Sequence, residues 1–110
     1  MGGFKRQATT AEAGRRLLED AAALEQAGAF ALVLECIPAE LAHQASLQLR
    51  IPVIGIGSGP DCDGQVLVSY DLLGLTSDTP PFAKRKADLD RIVVEAARRF
   101  GEEVKAGGPA

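Results

Sequence analysis

Apolar positions along the chain fall into three short runs, separated by stretches with helical spacing. The first is Phe30-Ala-Leu-Val-Leu34, which leads directly into Glu35-Cys36-Ile37-Pro38. An unbroken apolar run of this length is expected of a strand covered on both faces, as in a parallel sheet. The second is Ile51-Pro-Val-Ile-Gly-Ile56, with Pro52 near its start because proline cannot donate within a ladder. The third is Gln65-Val-Leu-Val-Ser69.

Helical patterns frame these runs. Thr9-Thr10-Ala11-Glu12 matches a capping box, with Glu12 three positions after Thr9. Leu17, Leu18, Ala21 and Leu24 then recur at helical spacing, and Gly28 is a natural stop. Pro38 suits the first turn of a second helix running to about Leu49, with Leu41, Ala45 and Leu49 on one side. Asp71–Leu75 reads as a short helical turn and Thr76–Pro81 as a loop. A long amphipathic helix is predicted from about Lys84 to Lys105, striped by Leu89, Ile92, Val93, Ala96, Ala97 and Phe100. The segment Ala106–Ala110 reads as a frayed end. The order is α-β-α-β-β-α. Short helix-to-strand links and covered strands predict an α/β fold with a parallel sheet of about three strands. So small a sheet with bare edges does not stand well alone, so the pattern predicts part of a larger α/β fold completed by association.

Size and composition narrow the choices. With 110 residues the chain is one modest domain, 1–110, short of the about 250 residues of a complete α/β barrel. It is 46% apolar and 25% charged, which is globular rather than disordered. A net charge of −3 with scattered basic residues argues against nucleic acid as a partner. No apolar stretch is long enough to span a membrane, and Met1-Gly-Gly-Phe-Lys-Arg lacks the apolar centre of a signal peptide. Cys36 and Cys62 have neither zinc nor redox-motif spacing, so a reducing cytoplasmic location is expected.

Candidate chemistry concentrates at Glu35. At the carboxyl end of a strand it stands where α/β folds bind ligands and carry out catalysis. Two readings stay open from position alone: a carboxylate stabilised by the start of the next helix, or a general base. Gly55-Ile-Gly57-Ser-Gly59 fails the dinucleotide fingerprint and lacks the lysine of a phosphate-binding loop, so it reads as a tight turn permitting close backbone approach. Asp61, Asp63 and Asp71 do not complete a calcium loop. His43 has no ligand partner at metal spacing, and Ser58 has no nearby histidine to make it a nucleophile.

Three segments together resemble the ketopantoate hydroxymethyltransferase family. They are Gly2-Gly-Phe-Lys5, Leu32-Val-Leu-Glu-Cys-Ile-Pro38, and the long run from Ile51 through Gly-Ser-Gly-Pro-Asp-Cys-Asp-Gly to Val68, followed by Tyr70-Asp-Leu-Leu-Gly-Leu75. The resemblance covers nearly the whole chain but only the C-terminal portion of the family's TIM-type (β/α)8 barrel. It implies transfer of a hydroxymethyl group from 5,10-methylenetetrahydrofolate to 3-methyl-2-oxobutanoate, giving 2-dehydropantoate in pantothenate biosynthesis. It implies Glu35 as the base that takes the proton beside the ketone. It implies that Ile56, Val66 and Val68 receive the substrate's branched side chain, although all three also read as plain core. A magnesium ion is implied, with ligands in the family's upstream half and none assignable in this chain. A homo-oligomer, or a complementing upstream half, is the implied partner, and the chain alone is expected to be inactive. Departures from the family's pattern include Ala8-Thr9 after Gln7, Ser58 in place of a frequent alanine, and the loosely matching Pro80-Pro-Phe-Ala-Lys84. The alternative is a non-enzymatic α/β module that keeps the scaffold for binding or assembly.

Overall fold

The computed structural model describes residues 5–108. Gly2-Gly3-Phe4 of the first matching segment, and Pro109-Ala110, lie outside the described residues. The chain divides into two compact units, Met1–Leu67 and Val68–Ala110.

In the first unit, helix α1 (Ala11–Gln26) leads into strand β1 (Leu32–Glu35), helix α2 (Ala39–Gln48), strand β2 (Val53–Ile56) and strand β3 (Gly64–Gln65). The strands form one sheet in the order β1-β2-β3, and both pairings are parallel. α1 is capped one residue later than the sequence pattern suggests. The Thr10 hydroxyl, not that of Thr9, accepts from the Ala13 N–H at 3.1 Å, which satisfies one of the free amides of the first turn. α1 ends at Gln26, and Gly28 turns the chain with φ +104°. Glu25 then ties α1 to the entry of β2, its Oε2 accepting from the N–H groups of Arg50 (2.6 Å) and Ile51 (3.0 Å).

The core is small. Leu34, Ile37, Ala42, Ala45 and Val53 are buried together, with Leu17, Leu18, Leu41, Leu49 and Cys62 packed against them. These residues show that α1 and α2 cover one face of the sheet, and the alanines of α2 let its backbone approach β2 closely. The register pairs Leu34 with Gly55 and Leu32 with Val53 on the covered face, and Val33 with Ile54 and Glu35 with Ile56 on the other. Within the first unit that second face is open: Val33 and Glu35 are exposed, while Ile54 and Ile56 are partly exposed.

Three expectations for the strands are therefore corrected. β1 begins at Leu32, and Phe30 is 89% exposed before it. β1 and β2 are covered on one face rather than two, although their outward residues are largely apolar. The third strand stops after Gly64-Gln65 instead of running to Ser69. The last pair is Gly55 with Gln65, β2 ends one residue later at Ile56, and Gly57 (φ +64°) carries the chain away. One further bond, from Val66 N–H to the Gly55 carbonyl (3.0 Å), closes the ladder.

In the second unit, helix α3 (Ser69–Leu73) ends on Gly74 at φ +68°, and helix α4 spans Leu89–Lys105. α4 starts later than the predicted Lys84. The preceding residues are held in a non-helical path: Arg85 Nη2 donates to the Gly74 carbonyl at 2.6 Å, and Lys86 N–H donates to the Leu72 carbonyl at 2.8 Å. Arg85 also pairs with Asp90 at 2.9 Å, and a hydrogen bond from this guanidinium holds the Asp90 carboxyl below its ordinary value. The expected apolar stripe is present on α4, and its Ile92, Val93 and Phe100 are exposed.

Candidate active site

The carboxyl ends of β1 and β2 lie side by side, and Glu35 is the last residue of β1, in register with Ile56. The chain leaves β1 through an unusual conformation. Cys36 has φ +55°, a left-handed geometry that costs a residue with a Cβ roughly 1–2 kcal/mol. Such a residue persists only where its surroundings over-determine it, and here they do. Cys36 N–H donates to the Ile56 carbonyl at 2.9 Å, and the Cys36 carbonyl accepts from Gln7 N–H at 2.8 Å. Ile37 N–H donates to Ser58 Oγ at 3.0 Å, and that hydroxyl donates to the Leu34 carbonyl at 2.9 Å. Arg6 Nη1 donates to the carbonyls of Ile37 (3.0 Å) and Gly57 (3.2 Å).

The result is a fixed backbone around a free carboxylate. Leu34, Cys36 and Ile37 are buried, while Glu35 between them is exposed on the open face. No hydrogen bond or ion pair engages the Glu35 side chain among the described residues. A carboxylate so placed is available to a molecule at the strand ends, as a proton acceptor requires. The α2 start lies just beyond it, with Pro38 as the cap residue.

The other sequence candidates distribute unevenly. Ile56 stands beside Glu35 on the same face. Val66 follows β3 and is 48% exposed. Val68 is 51% exposed and is the cap residue of α3 in the second unit. The expectation that Val66 and Val68 share one face of a strand is thus corrected, because neither lies in a strand. Asp63 is committed to structure: its Oδ2 accepts from Val53 N–H at 2.8 Å and its own N–H donates to the Val53 carbonyl at 2.9 Å. Among the described residues no group of three or more His, Cys, Asp or Glu side chains converges on a point where a metal could sit. An open groove of about 680 Å³ runs along α1 and β1, lined by Leu17, Ala21, Leu24 and Leu32 among others, and does not include Glu35.

Both cysteines are free. Cys62 lies against Gly55, and burial, more than the nearby Asp63 and Asp61, pushes its thiol upward. Two residues with clear roles at the strand ends, Ser58 and Arg6, were not legible as such in the sequence. Ser58 is 1% exposed, and its hydroxyl gains meaning only once β1 and β2 are paired. No helix among the described residues is long and apolar enough to cross a membrane.

Parallel strands joined through a helix, with a carboxylate presented at their carboxyl ends, define an α/β protein of the class that places its chemistry at that edge. Comparison with known sequences makes this specific. The sequence model of the ketopantoate hydroxymethyltransferase family matches residues 1–108. The chain belongs to that family of hydroxymethyl-transferring enzymes. Proteins called 3-methyl-2-oxobutanoate hydroxymethyltransferase are similar to it in Trichlorobacter lovleyi (56% identical over 108 residues, 97% of this chain and 40% of the relative). The same name is carried by relatives in Nitratidesulfovibrio vulgaris (55% identical, 97% of this chain and 35% of the relative) and Gloeobacter violaceus (52% identical, 98% and 42%). The chain therefore spans from 35% to 42% of the length of these curated relatives.

Proposed function

We propose that this chain supplies the C-terminal portion of a (β/α)8 barrel that transfers a hydroxymethyl group from 5,10-methylenetetrahydrofolate to 3-methyl-2-oxobutanoate, giving 2-dehydropantoate. The observation that carries this reading is the exposed Glu35 carboxylate at the end of β1, inside one of the three segments that resemble the family's, Leu32–Pro38. In this role Glu35 is the general base. It accepts the proton from the carbon beside the ketone, and the electron pair left behind forms the new carbon–carbon bond to the one-carbon unit, whose two bonds to folate nitrogen break; water supplies the hydroxyl and tetrahydrofolate leaves. Loss of a well-placed base lowers such rates by about 10²–10⁴-fold.

The resemblance calls for magnesium to polarise the keto group. The described residues do not fit such a site, since no cluster of ligating side chains converges, and no step is assigned to the metal through this chain. Its ligands belong, on this proposal, to the remaining length that the relatives have. The open sheet face supports the same view: Val33, Ile54 and Ile56 give it the apolar content of a face that a further layer covers. A complementing upstream half, as a separate chain or the rest of one barrel, or self-association into a homo-oligomer completes the assembly. Pantothenate synthesis from small soluble metabolites suits a cytoplasmic enzyme. The substrate's branched end packs near Ile56, with Val66 and Val68 as the further candidates.

The test is a graft. This chain replaces the matching 108 residues of the Trichlorobacter lovleyi relative, and hydroxymethyl transfer is assayed with magnesium, ketoacid and folate. Activity in the graft, its absence in the chain alone, and its loss on Glu35→Gln are expected. A soluble graft that binds the ketoacid yet never turns over, with the parent active, would instead favour a scaffold kept only for binding or assembly.

A further inference from the structure

We infer that Cys36 positions the Glu35 carboxylate through its left-handed backbone, whatever side chain the residue carries; the inference rests on the proposed role of Glu35 as the base. In a strand, residues two apart share a face and residues three apart do not. Leu34 and Ile37 are three apart, yet both lie in the buried cluster with Ala42, Ala45 and Val53. The alternation breaks at Cys36, where φ is +55°. Residues with a Cβ seldom adopt that geometry, and those that do gather at functional sites.

Two consequences bear on the carboxylate. Glu35 becomes the last exposed side chain of the strand, with Leu34 before it and Cys36 and Ile37 after it all buried. An extended residue 36 would instead leave Ile37 on the open face, about 7 Å beyond Glu35, across the approach to the carboxylate from the strand ends. The left-handed residue sends Ile37 into the core and lets α2 begin at Ala39. The bonds that Cys36 makes are both backbone: its N–H donates to the Ile56 carbonyl at 2.9 Å, and its carbonyl accepts from Gln7 N–H at 2.8 Å. The thiol takes part in neither. Cys36 thus acts through Glu35, by fixing where it stands and by clearing the space beyond it.

The rival reading is a small apolar side chain that matters only for packing, since Cys36 is 5% exposed. The two readings order substitutions differently. A left-handed position favours glycine over alanine and alanine over β-branched valine. Packing alone puts Cys36→Gly last, because it leaves the largest void. In the full chain, urea unfolding compares Cys36→Gly with Cys36→Ala. The folded-to-unfolded ratio is expected to be about two- to fivefold higher for Cys36→Gly, the reverse of the order inside a helix. If the chain alone lacks a cooperative transition, the midpoint is read in the graft. Cys36→Ala equal to or above Cys36→Gly overturns the inference.

In the graft, kcat is expected to follow the same order. Cys36→Val should fall about ten- to hundredfold below Cys36→Gly with KM for the ketoacid within a few-fold, because a displaced base costs rate rather than binding. If Cys36→Val does not fold, Cys36→Ala is compared with Cys36→Gly in its place, with the lower kcat expected for Cys36→Ala. The opposite order of kcat, or equal kcat in all three where Glu35→Gln is inactive, overturns the inference whatever the stabilities. An active Glu35→Gln graft would instead refute the assignment of the base, and the urea arm would still decide whether residue 36 holds the segment left-handed.

Discussion

Gly59→Ala tests the turn that delivers Ser58 to the strand ends. Gly59 has φ +83°, and a Cβ there would overlap the Ala39 Cβ and lie 2.9 Å from the Ala39 Cα. Ala39 is the first residue of α2, directly after Pro38, so the obstacle is helix backbone and cannot swing aside. Two costs add. The left-handed conformation disfavours a Cβ by about 1 kcal/mol, and overpacking a tight contact costs about 1–3 kcal/mol more. The sum is about 2–4 kcal/mol, a large share of the roughly 5–15 kcal/mol that stabilises a typical domain. At about 4 °C per kcal/mol for a chain of this size, the melting midpoint should fall by about 8–16 °C. Gly101→Ala is the matched control. Gly101 lies within α4 with nothing within 4 Å of its added Cβ, so the substitution should raise stability by about 0.5–1 kcal/mol through helix propensity. Thermal melts followed by circular dichroism compare the two. A midpoint for Gly59→Ala within about 2 °C of wild type would refute the close approach of the Gly57–Pro60 turn to α2.

Two further outcomes follow from bonds within the first unit. Glu25→Ala removes a carboxylate that accepts two backbone N–H groups, at 2.6 and 3.0 Å, and should cost about 2 kcal/mol in urea unfolding, since hydrogen bonds to charged groups contribute more than neutral ones. Cys62 should alkylate more slowly than Cys62 in the urea-unfolded chain at pH 8–9, because burial raises its folded pKa. The sign is fixed: the contribution is fully present below the unfolded thiol value of about 8.5 and is lost as pH rises through the higher folded value. Equal alkylation rates in the two states would remove that contribution.

How much the sequence revealed depends on the scale of the interaction. Local signals carried well. Gly28 stopped α1, Pro38 preceded α2, and the unbroken apolar runs ending at Leu34 and Ile56 located β1 and β2. Signals that depend on partners did not. The run Val66-Leu67-Val68 has every mark of a strand, yet a strand needs a neighbour, and beyond Ile56 the chain of β2 turns away at Gly57. The apolar run to Leu34 implied two covered faces, whereas α1 and α2 cover one. Within the first unit the second face has no cover, and the relatives' greater length is a natural source of one. Likewise Lys84–Asp88 has helical composition, but Arg85 is drawn to the Gly74 carbonyl and Asp90. At the site, Glu35 was legible because it ends a strand. Ser58 was not, because its bonds to Leu34 and Ile37 join residues 24 and 21 positions away.

The central claim is that Glu35 takes a proton from the carbon beside the ketone of 3-methyl-2-oxobutanoate. Exchange of that proton for deuterium, followed by NMR in D₂O with magnesium and without folate, isolates the step from carbon–carbon bond formation. The graft should exchange it, and Glu35→Gln should slow exchange by about 10²–10⁴-fold while ketoacid affinity stays within a few-fold. Exchange at the unsubstituted rate in a folded, ketoacid-binding Glu35→Gln graft would contradict the account.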